Sequence, residues 1–428
     1  MHRFLKRCLA RRPTLIMVVL LLPGAAFADR PIDGVPIPDD VSIVPVSVAT
    51  SDSGRSFLGA WIGRWGGNLK HILIVESLQP DGAARVIYAV GDNPNANIKR
   101  TWLRPPAILR DDTLTITGVF TATYKLTTAT TATASFQSGR GRIQAEMTKL
   151  DFAALTTPNR KVFVGDPESI MIATKLRENG KPIRLEVAIA KPEGNGPFPL
   201  VVINHGSTGR GNDPTLFGQT FAHPGSAEYF VRKGFMVAFP QRRGRGKSEG
   251  LYDEGFQIGR LQGYACDPKL SLPGADRALT DIEAAVEVLR QRPDVAQGPI
   301  LMAGISRGGI LSVAYAGMHP REVAGVINFV GGWMGEGCRN ASEINGTLFK
   351  RGGMFPNPTL WLYGNHDPFY SLDHSRTNFA AFQAAGGKGS FFDSEVPGGN
   401  GHMVMFSPSL WTGHVDRYLD SIGAVAKQ

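Results

Sequence analysis

The chain has 428 residues, 42% hydrophobic and 19% charged, a balance that excludes a disordered or nucleic-acid-wrapping polymer. At roughly 100–200 residues per domain, the length calls for two or three domains. The formal charge is +9, but Arg3, Lys6, Arg7, Arg11 and Arg12 lie in the first 28 residues, which hold no acid, so the remainder carries only +4 and no nucleic-acid partner is indicated.

The chain opens on that basic stretch. An apolar run over 15–22 follows, and then small residues ending in Ala26-Phe27-Ala28. This layout predicts a secretory signal peptide over 1–28, cut after Ala28. The apolar run falls well short of the ~20 residues that span a bilayer. The expected mature protein is therefore soluble, periplasmic or secreted, with no stable membrane anchor. Residues 29–55, with Pro31, Pro36, Pro38 and Pro45, are expected to be an extended linker.

Residues 56–158 read as an all-β domain. The runs 70–77 and 85–90 are rich in β-branched residues and are separated by Pro80-Asp81-Gly82. Further short runs follow at 98–103, 107–110, 113–118, 121–127, 130–136 and 142–149. Seven or eight short antiparallel strands predict a small barrel or sandwich. Gly59-Ala60-Trp61, just before the first run, is similar to the start of a lipocalin-type barrel; equally, Trp61 and Trp65 could plug one end of a β-core.

From 159 to 428 the pattern changes to α/β. Eight strand-like runs (169–175, 184–190, 200–203, 235–239, 300–303, 323–329, 359–363, 390–396) alternate with helical ones. The clearest helix is 276–290, where Leu279, Ile282, Val286 and Leu289 recur at helical spacing. Apolar strands between amphipathic helices imply an eight-stranded, mostly parallel sheet covered on both faces. Cys266 and Cys338 remain after leader removal, either as a disulfide or as two buried thiols. No Cys spacing suits a metal.

Gly304-Ile305-Ser306-Arg307-Gly308 lies between an apolar strand and a helical run, the context a nucleophilic serine needs. The tiny neighbours permit a sharp turn that exposes the hydroxyl. Such a serine requires a base held by an acid, in the chain order Ser, Asp, His. Asp367 follows the strand at 359–363, and His402 follows the strand at 390–396 in a glycine-rich loop. His205, His366, His374 and His414 compete for the base role and Asp373 for the acid role, but each is worse placed relative to the last two strands. The oxyanion hole needs two backbone donors. One is expected from Arg307, and the other from Gly206 or Ser207 in the loop Asn204–Gly209, with no choice between the two. Gly246-Lys247-Ser248 looks like the end of a phosphate loop, but Gln241 stands where that motif needs glycine. A structured loop beside the active site is the expectation there.

Four ordered motifs, HGSTG, RRGRGKSEG, GISRGG and the pair GNHD…GNGH, resemble those of the α/β-hydrolase superfamily. The R-G-x-G-x-S-x-G run is similar to that of its dienelactone-hydrolase-like, acylaminoacyl-peptidase-like and X-prolyl-peptidase/cocaine-esterase-like branches. The resemblance implies a triad of Ser306, Asp367 and His402. The expected activity is hydrolysis of carboxylic esters through an acyl-enzyme, without cofactor or metal, on a small-molecule ester. The alternatives are a serine peptidase acting on small peptides and an acyltransferase using the same acyl-enzyme. A binding protein that only captures an apolar ligand is a further, different class.

Overall fold

The computed structural model describes residues 29–44, 52–118, 120–138, 141–157, 162–396 and 399–424. The expected signal peptide and residues 45–51 lie outside this set. Among the described residues no helix is long and apolar enough to cross a membrane.

The stretch expected to be an extended linker contains a hairpin. Strands β1 (Asp29–Ile32) and β2 (Val35–Pro38) pair antiparallel. Asp33 and Gly34 both have positive φ, 49° and 81°, as a tight two-residue turn requires. A two-stranded ribbon tolerates its prolines because each strand keeps an open edge. Ile32, Val35 and Ile37 are buried against Ile62, Ile72, Ile74 and Ile87 on the barrel's outer face. Asp33 Oδ2 accepts from the Val162 and Phe163 amides, both at 2.6 Å.

After the short helix α1 (Asp52–Phe57) come β3 (Gly59–Trp65), β4 (Leu69–Leu78), β5 (Ala83–Val90), β6 (Thr101–Leu103), β7 (Pro106–Arg110), β8 (Thr113–Ile116), β9 (Thr121–Leu126), β10 (Thr131–Ser138) and β11 (Gly141–Leu150). Eight of them close into an antiparallel barrel, because β4 pairs with both β3 and β5; β6 adds to one end of β5. The G-x-W segment is thus itself the first barrel strand. Trp61, Trp65, Tyr88 and Tyr124 are buried in the interior. His71 lies fully buried among them, with Nδ1 2.8 Å from Ala89 O and Nε2 2.8 Å from the Tyr124 hydroxyl. The 70–77 run is apolar almost without alternation because β4 faces this core on one side and the hairpin on the other.

Helix α2 (Phe152–Thr156) leads to the second sheet: β12 (Glu168–Glu178), β13 (Lys181–Ala190), β14 (Leu200–Asn204), β15 (Met236–Pro240), β16 (Ile300–Ile305), β17 (Val323–Phe329), β18 (Thr359–Gly364) and β19 (Gly389–Ser394). The spatial order is β12-β13-β15-β14-β16-β17-β18-β19. The first two pairings are antiparallel and the rest parallel. The sheet is flanked by α3 (Pro224–Arg232), α4 (Pro268–Arg290), α5 (Arg307–Met318), α6 (Ala341–Arg351), α7 (Leu372–Ala384) and α8 (Thr412–Ser421). Helix α4 starts eight residues before the expected position. Asp267 caps it, accepting from Lys269 N at 2.9 Å, and Pro268 takes the first helical position, where no N–H is needed.

Barrel and sheet meet through buried polar contacts. Arg64 of β3 pairs with Asp166 and with Glu228 of α3. The Gly225 amide donates to Gly67 O at 2.8 Å. Gly67 lies directly on the imidazole of His223, and a Cβ there would come within 2.3 Å of Nε2.

Candidate active site

The site forms at the carboxyl ends of the parallel strands, where open α/β sheets meet ligands. Strand β16 is wholly buried and ends in a turn that α5 follows at once. Ser306 occupies the turn with φ 55° and ψ −122°, a conformation that costs a non-glycine residue on the order of 1–3 kcal/mol. The flanking glycines are required by space. A Cβ on Gly304 would lie 2.3 Å from the Gly308 carbonyl, and one on Gly308 would lie 2.0 Å from Asn204 O. Ser306 is 6% exposed. The Arg307 amide is the first of α5 and so has no acceptor within the helix.

Asp367 sits on the loop after β18. Its Oδ1 accepts from the Phe369 and Tyr370 amides at 2.8 and 3.2 Å. Its Oδ2 lies 2.8 Å from His402 Nδ1, and the Asp367 side chain has no exposed surface. His402 stands on a short 3-10 helix, Gly401–Phe406, whose cap Asn400 accepts from the His402 amide at 3.1 Å. The two loops meet because Gly401 packs on Gly364. A Cβ on Gly401 would lie 2.2 Å from Gly364 O.

Tyr370 joins this pair to the serine, and sequence reasoning passed it over. Its ring lies 5.7 Å from that of His402, and its hydroxyl donates to Gly332 O at 2.9 Å. Burial pushes that hydroxyl up to about 12, while the neighbouring Ser306 hydroxyl pulls it back. Its place three residues after Asp367 in D-P-F-Y was the available signal.

Of the rivals, His366 sits beside Asp367 on the same loop, with φ 58°, and its carbonyl accepts from the Gly401 amide at 3.4 Å, whereas Asp373, His374 and His414 lie elsewhere. Asp373 is exposed on α7. His374 contacts Asn345 at 3.0 Å, and His414 packs on Phe392. His205 belongs to the loop after β14. In that loop Gly206 abuts the serine, and a Cβ on it would stand 3.2 Å from Ser306 Cβ and 3.8 Å from its Oγ.

Beneath the serine turn is a buried charge cluster that spacing alone did not reveal. Glu254 is 2% exposed and pairs with Arg242 at 2.5 Å and Arg307 at 3.2 Å. Burial raises its carboxyl, but the two guanidiniums overcome this and hold it below the usual range. The Arg307 guanidinium stacks 3.5 Å from the Tyr264 ring centre and 4.0 Å from that of Trp333. The 241–250 run is a folded loop. The Lys247 amide donates to Glu186 Oε2 at 2.6 Å, so a protein carboxylate already occupies the donor that a phosphate would need. Among the described residues no group of three or more His, Cys, Asp or Glu could hold a metal ion. Cys266 and Cys338 form a disulfide with Cα atoms 5.6 Å apart.

The strand order, the strained turn of Ser306 after β16 and the loops of Asp367 and His402 after β18 and β19 are those of the α/β-hydrolase fold. Residues 179–385, just under half of the chain, match the family described as X-Pro dipeptidyl-peptidase (S15 family). No curated protein matches the sequence. Among solved structures, the chain is similar in fold to the Pyrococcus furiosus esterase Pf2001, at 13% identity over 60% of this chain and 90% of that one, with a TM-score of 0.40. It is also similar to the Pyrococcus horikoshii acylaminoacyl peptidase (16% identity, 82% of this chain, 53% of that one, TM-score 0.42). A third is Est1E of Butyrivibrio proteoclasticus with ferulic acid bound (16% identity, 58% and 99%, TM-score 0.40).

Proposed function

We propose that this chain is an exported serine hydrolase that cleaves carboxylic esters. The observation that carries the reading is the 2.8 Å contact between His402 Nδ1 and the buried Asp367 carboxylate, beside the strained turn of Ser306. With Nδ1–H donating to Asp367, His402 Nε2 is left as the base. It takes the proton of Ser306 Oγ as the oxygen attacks the ester carbonyl. The tetrahedral oxyanion is held by the Arg307 amide and an amide of the Gly206/Ser207 region. His402 then protonates the leaving alcohol, and water releases the acid by the reverse sequence. Asp367 orients the ring and stabilises the imidazolium.

Export is proposed on the 1–28 leader, and the disulfide is in keeping with an oxidising compartment. A serine peptidase acting on small peptides is the second reading, favoured by the matched family. A dipeptidyl-peptidase must also hold the substrate's ammonium group with an acid, and Glu254, buried beneath the serine turn, is already taken by two arginines. An acyltransferase would use the same acyl-enzyme with an alcohol in place of water.

The test is a panel of nitrophenyl esters of varied chain length beside aminoacyl anilides, with wild type and Ser306→Ala. We expect ester turnover to fall at least about 10⁴-fold in the variant, with unfolding unchanged. Turnover retained by Ser306→Ala would overturn the reading. Preference for anilides would favour the peptidase, and mass spectrometry after adding an alcohol would reveal acyl transfer.

A further inference from the structure

An oxyanion donor on a loop is useful only if its peptide plane cannot rotate, and the loop after β14 is held on one side by an unusual set of donors. His205 is fully buried. Its Nε2 accepts from the Arg242 amide at 3.2 Å, so the proton of the neutral ring sits on Nδ1. Nδ1–H donates to the Gly206 carbonyl at 2.8 Å. The same carbonyl accepts from Arg245 Nη1 at 3.3 Å and from Arg242 Nη2 at 3.4 Å. Arg242 Nη1 donates to the His205 carbonyl at 2.9 Å, and its Nε is pinned to Glu254 at 2.5 Å. Both arginines are buried, at 2% and 5% exposure.

The Gly206–Ser207 peptide is trans, so the Ser207 N–H leaves the edge opposite to that carbonyl, away from the guanidiniums. Among the described residues this N–H has no acceptor within the protein. Its neighbour Gly206 is the residue that abuts Ser306. We propose that Arg242 and Arg245 are positioning residues that lock this peptide with the Ser207 N–H as the second oxyanion donor. Their cationic donors on the carbonyl also polarise the peptide and strengthen the N–H at its other edge. Neither arginine touches substrate. The proposal rests on the serine-hydrolase reading above and names which of the two open amides serves it.

The experiment begins with fluorophosphonate labelling of the wild-type protein. No adduct on Ser306 would remove the serine-hydrolase reading itself, whatever the arginines do. With labelling established, Arg242→Lys and Arg245→Lys keep the charge and lose the planar fork. We expect kcat on a nitrophenyl ester to fall about 10- to 100-fold while KM stays within about twofold, since one oxyanion donor is worth on the order of 10²–10³. Affinity for a boronic acid that mimics the tetrahedral state should fall by the same factor as kcat/KM. Ser207→Pro removes the N–H, and in that background Arg245→Lys should cost less than about twofold, because coupled residues do not add. If Arg242→Lys fails to fold, Arg245→Lys and Arg245→Gln carry the same expectations. An unchanged kcat in a folded arginine variant, a loss confined to KM, or full additivity with Ser207→Pro would each overturn the proposal.

Discussion

At the scale of single residues, the site depends on groups that are buried and fully used. Glu254 shows this most clearly. It compensates two guanidiniums at once, and one of them belongs to Arg307, the residue after Ser306. Removing one partner of such a buried set strands charge in a low dielectric. Glu254→Gln preserves shape and removes the charge, so we expect a loss of about 3–5 kcal/mol in urea unfolding. A change below about 1 kcal/mol would show that water reaches this cluster. The glycines around the serine act through space as much as through conformation. Gly304 and Gly308 have no room for a methyl group, which is why the motif's spacing was readable before any fold was known.

At the scale of elements, the disulfide and one aromatic contact tie the segments around the candidate site to the helices and the barrel. The disulfide joins Cys266, one residue before the Asp267 cap of α4, to Cys338, just before the Asn340 cap of α6. It therefore fastens the start of both helices. Its 72-residue separation predicts about 4 kcal/mol of lost chain entropy in the unfolded state. We expect the Cys266→Ala/Cys338→Ala double variant to lose about 2–4 kcal/mol. An unfolding midpoint unmoved by that change, or by reduction of the native protein, would contradict this. The His402 helix has a comparable anchor. Phe406 at its end packs edge-on against His223 at 4.8 Å, and His223 in turn lies under Gly67 of the barrel.

At the scale of the whole molecule, acid sensitivity follows from three buried imidazoles. Burial holds His71 down to about 3 and His223 down to about 4. Burial, with Arg242 and Arg245 adding to it, holds His205 well below its ordinary value. In the unfolded chain all three take protons near ~6.5. The folded state then binds fewer protons than the unfolded one, so stability is complete above about 6.5 and falls as the pH drops toward 4. Each imidazole contributes up to about 1.4 kcal/mol per pH unit in that window. Thermal unfolding followed from pH 7.5 to 5 reads this; the buried carboxyl of Asp281, which burial raises to about 6, opposes the three imidazoles only in the lower part of that interval. A flat Tm across that interval would mean that these rings are protonated in the fold.

Much of this was legible in the linear chain because its signals are local. Short apolar runs located the eight strands of the second sheet and helical spacing the body of α4, and the G-x-S-x-G turn lay where a strand meets a helix. The Asp33-Gly34 pair was an equally local sign of the first hairpin, masked by the prolines around it. What the tertiary structure decided is non-local: closure of β4 on both neighbours to make a barrel rather than a sandwich, the pairing of Cys266 with Cys338, the gathering of Arg242, Glu254 and Arg307 under one turn, and the seat of Tyr370 beside the serine. Such features have no sequence period. They arise when segments tens to hundreds of residues apart compete for the same buried volume, and only the packed chain determines which side chains share it.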